Sequence, residues 1–127
     1  MFLDEIFPTP IWGFDLELDV DSIKYWCYSC MKENHGRVIS NVGGWQSEDF
    51  REFGNTPLTE LVSFIVKESH NIAKDLGIPK DDRWIDNLWI NINPKFSYNQ
   101  IHIHPQAKLS GVYYVAAPAN SGNLCFT

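Results

Sequence analysis

Two stretches of the chain carry apolar residues at the three- and four-residue spacing of an amphipathic helix. The second stretch has the clearer boundaries, because Thr56 is a predicted N-cap, Pro57 takes the first helical position, and Gly77 predicts the end. The first stretch begins at a cap supplied by Asp21 or Ser22. Its apolar positions are Ile23, Trp26, Cys27, Cys30 and Met31, and those of the second are Leu58, Leu61, Val62, Ile65, Ile72 and Leu76. The pattern predicts two helices, each with one face packed against a sheet.

From Asn87 onward the hydrophobic period changes to two, which is typical of half-buried strands. Leu88, Ile90 and Ile92 form the aliphatic side of the first predicted strand. A second predicted strand, over 100–104, has the same alternation, with isoleucines at 101 and 103. Residues 109–117 are apolar or small on both faces, as in a strand covered on both sides, and another strand begins at 123. We therefore predict one α+β domain over 1-127, with two helices packed on an antiparallel sheet.

The polar residues of the first two strands alternate with these aliphatic ones. If the aliphatic faces lie against the helices, the polar side chains face the other way together and line one cavity. They are Trp89, Asn91, Asn93, His102 and His104. Helices behind a sheet whose far side is polar and concave are what a ligand site on a jelly-roll sheet requires.

A glycine-rich stretch over 41–47 is predicted to be a loop, because its paired glycines favour a turn or a close backbone approach. Trp45 and Gln46 lie in this stretch and are candidates for a substrate lid. An aromatic plug over the edge of the core is the alternative role for Trp45.

Composition narrows the choice of partner. The 127 residues carry a formal net charge of -6, which gives no electrostatic reason to expect nucleic acid or an anionic membrane as a partner. No apolar run approaches the roughly 20 residues that span a bilayer, and the N-terminus is acidic where a signal peptide is basic. We expect a cytoplasmic protein acting on a small molecule or peptide. Cys27 and Cys30 have the spacing of a redox motif, but they fall within the predicted apolar helix face, which favours core thiols.

His102 and His104 are the candidate metal ligands. Residues two apart on a strand project from one face about 6.6 Å apart, so both imidazoles can turn onto one ion at about 2.0 to 2.2 Å. Imidazole binds Zn, Fe, Cu and Ni alike, so the pair does not name the metal. Histidine pairs on strands also occur with no metal, and from the residues alone both alternatives stay open.

The segment around these histidines resembles a known family. Asn99-Gln-Ile-His102-Ile-His104-Pro105, then Leu109-Ser-Gly-Val-Tyr-Tyr-Val115, Pro118 and Ser121-Gly122, is similar to the core motif of a family of 2-oxoglutarate/Fe(II) oxygenases. The Phe7-Pro8-Thr9-Pro10 opening, the 41–47 stretch and Trp89-Ile-Asn91-Ile-Asn93 also resemble that family. The resemblance implies a double-stranded β-helix, or jelly roll, of which this chain is the N-terminal part. It further implies Fe(II) held by a His-x-Asp/Glu motif and a distal His, 2-oxoglutarate chelating the iron with its far carboxylate on Arg or Lys, and hydroxylation of a substrate C–H bond.

Carried over to this sequence, the resemblance makes His102 the first ligand and puts His104 where the family has a carboxylate. That departure removes a negative charge and favours zinc or no metal over iron more than the family pattern does. Lys108, Tyr113 and Asn91 become the co-substrate candidates, although a solvated lysine and a core tyrosine are the alternative roles for the first two. The substrate candidates are Trp45, Gln46, Trp89 and Asn93.

Two parts of the family pattern have no counterpart downstream. No His follows His104, no Asp or Glu follows Asp86, and no Arg follows Arg83. The distal ligand and the co-substrate arginine are therefore missing from the expected positions, and no residue is assigned as catalytic. We expect either a truncated chain or a homodimer whose second protomer supplies the missing strands. The two functions that follow are an oxygenase complete only in a longer chain or an assembly, and a catalytically silent jelly-roll remnant that binds a ligand or partner.

Overall fold

The computed structural model describes residues 8–79 and 85–126, which form two helices and four short strands. Helix α1 spans Val20–Glu33 and helix α2 spans Thr59–Asp75. The strands are β1 (Asn41–Val42), β2 (Trp45–Gln46), β3 (Asn91–Ile92) and β4 (Tyr98–Asn99). The predicted α+β class is confirmed by these elements. Within the described ranges no helix is long and apolar enough to cross a membrane.

Helix α1 begins slightly earlier than predicted because Asp19 caps it. The Ser22 hydroxyl donates to Asp19 Oδ2 at 2.6 Å, and the Ser22 backbone N–H donates to Oδ1 at 3.1 Å. Both hydrogen bonds favour the ionised carboxylate and hold the pKa of Asp19 below its ordinary value. The helix ends at Glu33, and Gly36 follows with a φ of +69°.

Helix α2 confirms its predicted end and begins two residues later than predicted. Gly77 has a φ of +66° and donates its N–H to Lys74 O at 3.2 Å, while Ile78 N–H donates to Ala73 O at 2.8 Å. These two bonds form the Schellman motif that a glycine after a helix allows. At the start, Thr56 Oγ1 accepts from Leu58 N–H at 3.2 Å within a turn that precedes the first helical residue.

The core joins both helices to the aliphatic side of the segment that ends in β3. Its buried members are Ile23 and Cys27 from α1, Leu58 and Leu61 from the start of α2, and Ile90. Leu88 and Ile92 pack against this cluster from the same side as Ile90. The predicted aliphatic face at 88–92 is therefore confirmed, since removing these side chains from water is what attaches the helices to the strand.

The glycine-rich stretch is more ordered than the predicted loop. Gly43, with a φ of +73°, turns the chain between β1 and β2, so the predicted turn is confirmed but its flanks are strands. The two strands pair with different partners, β1 with β4 and β2 with β3, both antiparallel. Registers are Asn41↔Asn99, Val42↔Tyr98, Trp45↔Ile92 and Gln46↔Asn91, with single bridges at Arg37↔Gln46 and Phe50↔Leu88.

Downstream of β4 the predicted strands are wrong. Residues 100–104, 109–117 and 123–126 form no strands in the described part of the chain. Ile101 and Ile103 are 84% and 81% exposed instead of facing the helices. Tyr113 and Val115 do pack against the core, but the intervening Tyr114 is exposed, so this segment has one covered face and not two.

Among the described residues, no strands form after β4 because the chain there has no neighbouring backbone to pair with. The ladder between β1 and β4 ends at Asn99, beyond which Gln100 N–H donates to Ser40 O at 2.8 Å. Alternating sequence makes an extended chain, but a strand forms only where a neighbouring chain accepts its backbone hydrogen bonds. The two small sheets fit the α+β part of the prediction, and the jelly roll stays a prediction from the resemblance.

Candidate functional site

The rings of Trp89, His102 and His104 lie close together. The ring centroids of His102 and His104 lie 5.0 Å apart with an interplanar angle of 42°. Trp89 meets His104 edge to face, with centroids 5.5 Å apart and an angle of 82°. The two imidazoles therefore share one side of the chain, as their spacing predicts, although no strand holds them there.

Hydrogen bonds at Nδ1 orient both imidazoles. His102 Nδ1 lies 2.7 Å from Gln100 O, and His104 Nδ1 contacts Ser110 Oγ. A carbonyl oxygen only accepts, so His102 carries its proton on Nδ1 and, when neutral, its lone pair on Nε2. The Nε2 atom of His102 is thus prepared to bind a metal or to accept a hydrogen bond.

The two histidines line a shallow cavity of about 230 Å³. The other lining side chains that matter for its chemistry are Trp89, Gln46, Arg37 and Asp49. Trp89 and Gln46 were both predicted from the sequence as substrate residues, and the structure places them beside the histidine pair.

The remaining substrate candidates lie elsewhere, so the expected single cavity is divided. Trp45 and Asn93 line a different cavity, of about 420 Å³, on the other side of β2. Successive residues of a strand point to opposite faces, which separates Trp45 from Gln46. Trp45 donates its indole N–H to Asn34 O at 3.0 Å and packs against the core, the alternative role considered for it. Asn93 donates through Nδ2 to Asn99 Oδ1 at 2.8 Å.

The co-substrate candidates do not line the histidine cavity. Asn91 is exposed on β3, Lys108 is exposed beyond β4, and Tyr113 is half-buried against the core. For Tyr113 this is core packing, the alternative to a role in co-substrate binding.

Arg37 and Asp49 belong to the cavity and were missed by sequence reasoning. Their side chains are half-buried and form an ion pair through Arg37 Nη2 and Asp49 Oδ1. A weaker contact of 3.8 Å joins Arg37 Nη1 to the exposed Glu48. The signal in the sequence that could have found them is the Gly-Gly turn. A chain reversal brings together residues that lie at similar sequence distances before and after it, and here one is basic and the other acidic.

His102 and His104 are the two candidate metal ligands that line the cavity. Among residues 8–79 and 85–126 no group of three or more His, Cys, Asp or Glu side chains is placed to hold a metal ion. Asp49 is the carboxylate that lines the cavity, and Arg37 holds it. The imidazoles fit two positions of a transition-metal site, and the described residues offer no third protein ligand.

The Cys-x-x-Cys spacing does not mark a redox site. Cys27 is buried in the core, and burial raises the pKa of its thiol to about 11, with a smaller contribution from Cys30. Burial also raises the pKa of Cys30. Reactive thiols need a lowered pKa, because the thiolate is the nucleophile. Both side chains are therefore core thiols, as their place in the helical pattern predicts.

Comparison with known proteins bears on the segment that holds the histidines. A family model described as Putative 2OG-Fe(II) oxygenase matches residues 87–127, which include β3, β4, His102 and His104. No curated protein and no solved structure matches the chain. The family resemblance drawn from the sequence is confirmed over the matched residues.

Proposed function

We propose, from the family match over residues 87–127, that this chain carries the histidine pair of a 2-oxoglutarate/Fe(II)-dependent oxygenase acting on a small-molecule or peptide substrate. The observation that carries the proposal is the position of His102 and His104. They lie inside the matched segment, their ring centroids are 5.0 Å apart, and both line one cavity.

In this proposal His102 and His104 bind the metal through Nε2. The hydrogen bond from His102 Nδ1 to Gln100 O fixes its ring orientation and increases the basicity of Nε2. Fe(II) with 2-oxoglutarate and O₂ supplies the oxidation that hydroxylates a C–H bond, with succinate and CO₂ as the other products. His102 and His104 would hold the metal from one side, and co-substrate oxygen, water or a ligand outside the described residues would complete its binding.

Trp89 and Gln46 form the substrate side of the cavity. The Trp89 ring meets the His104 ring edge to face, with centroids 5.5 Å apart, which gives an apolar wall next to the two histidines. The co-substrate roles of Asn91, Lys108 and Tyr113 stay predictions from the family resemblance. A cytoplasmic location, expected from the apolar pattern and the acidic N-terminus, and a homodimer also stay predictions.

Anaerobic ultraviolet-visible spectroscopy tests the proposal. Protein mixed with Fe(II) and 2-oxoglutarate is expected to give a metal-to-ligand charge-transfer band and, after oxygen is admitted, succinate. The band should disappear in His102→Ala and persist in His35→Ala, because His35 is an exposed histidine outside the cavity. A wild-type chain that gives neither band nor succinate would contradict the oxygenase proposal.

A catalytically silent binding protein is the second candidate. The observation that favours it is the Arg37–Asp49 ion pair, because it occupies the carboxylate that lines the cavity. Calorimetric titration with Fe(II) and with Zn(II) separates the candidates. Metal binding that depends on both histidines supports the enzyme, whereas no heat of binding with either metal supports the silent remnant.

A further inference from the structure

Two polar atoms in the histidine cavity have no hydrogen-bond partner within residues 8–79 and 85–126. They are Arg37 Nε and Gln46 Oε1. Gln46 is only 3% exposed, and both residues line the cavity that His102 and His104 share. Folded proteins pair nearly all of their buried polar groups, so an adjacent donor and acceptor left unpaired call for a specific partner.

The two side chains are neighbours because their backbones pair. Arg37 and Gln46 form an antiparallel bridge in which Arg37 N–H donates to Gln46 O at 2.8 Å. Side chains of directly opposite residues lie on the same face, with Cβ atoms about 4.5 to 5.5 Å apart. The unpaired donor of Arg37 and the unpaired acceptor of Gln46 therefore belong to neighbouring side chains of one face, called here the Arg37–Gln46 edge.

The charge around this edge selects a neutral ligand. Asp49 is ion-paired with Arg37, and Glu48 lies 3.8 Å from the same guanidinium. A carboxylate ligand would bring a negative charge close to Asp49 and would have no proton to donate to Gln46 Oε1. The fitting group needs an acceptor and a donor on one edge and no net charge.

A primary carboxamide has that edge. Its carbonyl oxygen and its syn N–H point to the same side of the group. A trans peptide bond does not, because its C=O and N–H point in opposite directions. The edge of Arg37 and Gln46 therefore distinguishes a terminal amide from a peptide backbone.

We propose that Arg37 and Gln46 bind the primary carboxamide of a ligand in the histidine cavity. Arg37 Nε–H donates to the ligand carbonyl, and the ligand N–H donates to Gln46 Oε1. If the ligand is the substrate, this inference rests on the proposed function, and the substrate is a compound or side chain that ends in a primary amide. As a binding site it depends on Arg37 and Gln46 alone.

Nuclear magnetic resonance titration of the metal-free full chain tests the binding site. The probes are butyramide, butyrate and N-methylbutyramide, which differ in charge or in the syn N–H. Butyramide is expected to shift the Arg37 Nε–H and Gln46 side-chain NH₂ resonances saturably. The other two compounds should bind about tenfold more weakly, since each leaves a buried polar atom unpaired.

Matched variants separate the site from general binding. Gln46→Leu should weaken butyramide binding about tenfold, because it removes the acceptor at similar volume. Gln106→Leu, at an exposed glutamine outside the cavity, should leave the affinity unchanged. If Gln46→Leu fails to fold, the comparison of the three probes on the unaltered chain still decides.

Butyrate binding as tightly as butyramide would overturn the inference. So would the absence of any saturable shift, which would assign the two atoms to bound water. Because the titration uses no metal, its failure leaves the charge-transfer experiment intact, and a missing charge-transfer band leaves the amide site intact.

Discussion

Replacing Ser47 with alanine removes one hydroxyl that joins the end of β2 to the chain before β3. Ser47 is 3% exposed, and its Oγ accepts from Ile90 N–H at 2.9 Å while donating to Glu48 O at 2.7 Å. Ile90 is a core residue at 8% exposure, so its N–H would be left unpaired in a buried place. Glu48 is exposed, so water can replace the bond to its carbonyl.

The magnitude follows from that asymmetry. An unpaired buried donor costs about 1 to 3 kcal/mol, while the hydrated carbonyl of Glu48 adds little. We expect Ser47→Ala to lower the free energy of unfolding by about 2 kcal/mol, a large fraction of the roughly 5 to 15 kcal/mol typical of a domain. The loss should also loosen the pairing that holds Gln46 in the histidine cavity.

Urea denaturation followed by tryptophan fluorescence measures the loss as a lower midpoint at an unchanged slope. Ser63→Ala is the matched control, because Ser63 is exposed on α2 and its hydroxyl only donates to Thr59 O at 2.8 Å. It should change stability by less than about 0.5 kcal/mol. A Ser47→Ala protein as stable as this control would refute the role given to the Ser47–Ile90 bond.

Three further predictions concern the core, the turn and the buried thiol. Ile23→Ala should destabilise the fold by about 2 to 5 kcal/mol, because Ile23 is 1% exposed and alanine leaves a cavity. Gly44→Ala should destabilise the fold by about 1 to 3 kcal/mol, since the added Cβ would lie 3.1 Å from Ile92 O and overlap the side chain of Asn93. Cys27 has a pKa raised from 9.0 to about 11, so its neutral form is favoured by folding, and stability should fall as pH rises from 9 to about 11.

Each of these has a matched comparison. Ile11→Ala, at a residue 65% exposed, should be nearly neutral in urea denaturation. Gly54→Ala should be tolerated, because nothing lies within 4 Å of its added Cβ. Cys27→Ser should reduce the decline in stability above pH 9, with Cys30 responsible for what remains, whereas Cys125→Ser, at an exposed thiol, should keep the full decline. Equal effects within any pair would contradict the burial on which the prediction rests.

The position of the histidine pair could be predicted from the sequence alone. The spacing of His102 and His104 was enough to place both rings on one side, because residues two apart in an extended chain share a face. Their hydrogen-bond partners, Gln100 O and Ser110 Oγ, come from the same stretch of chain.

Long-range register decided the rest of the cavity. Trp45 and Gln46 are adjacent in sequence, yet pairing with Ile92 and Asn91 sends them to opposite faces and two different cavities. Arg37 reaches the site through its bridge to Gln46. Hydrophobic alternation does not encode which strand lies beside which, so these neighbours were not predictable from the sequence.

By itself the sequence determined the two helices, the Gly77 stop, the aliphatic face at 88–92 and the shared side of the histidines. All of these features depend on residues close together in the sequence, because hydrophobic periodicity and helix caps are local signals. Only the tertiary structure decided that Ile101 and Ile103 are exposed and that Asp49 is held by Arg37. Burial and charge pairing depend on what lies opposite in space, and a linear pattern does not contain that information.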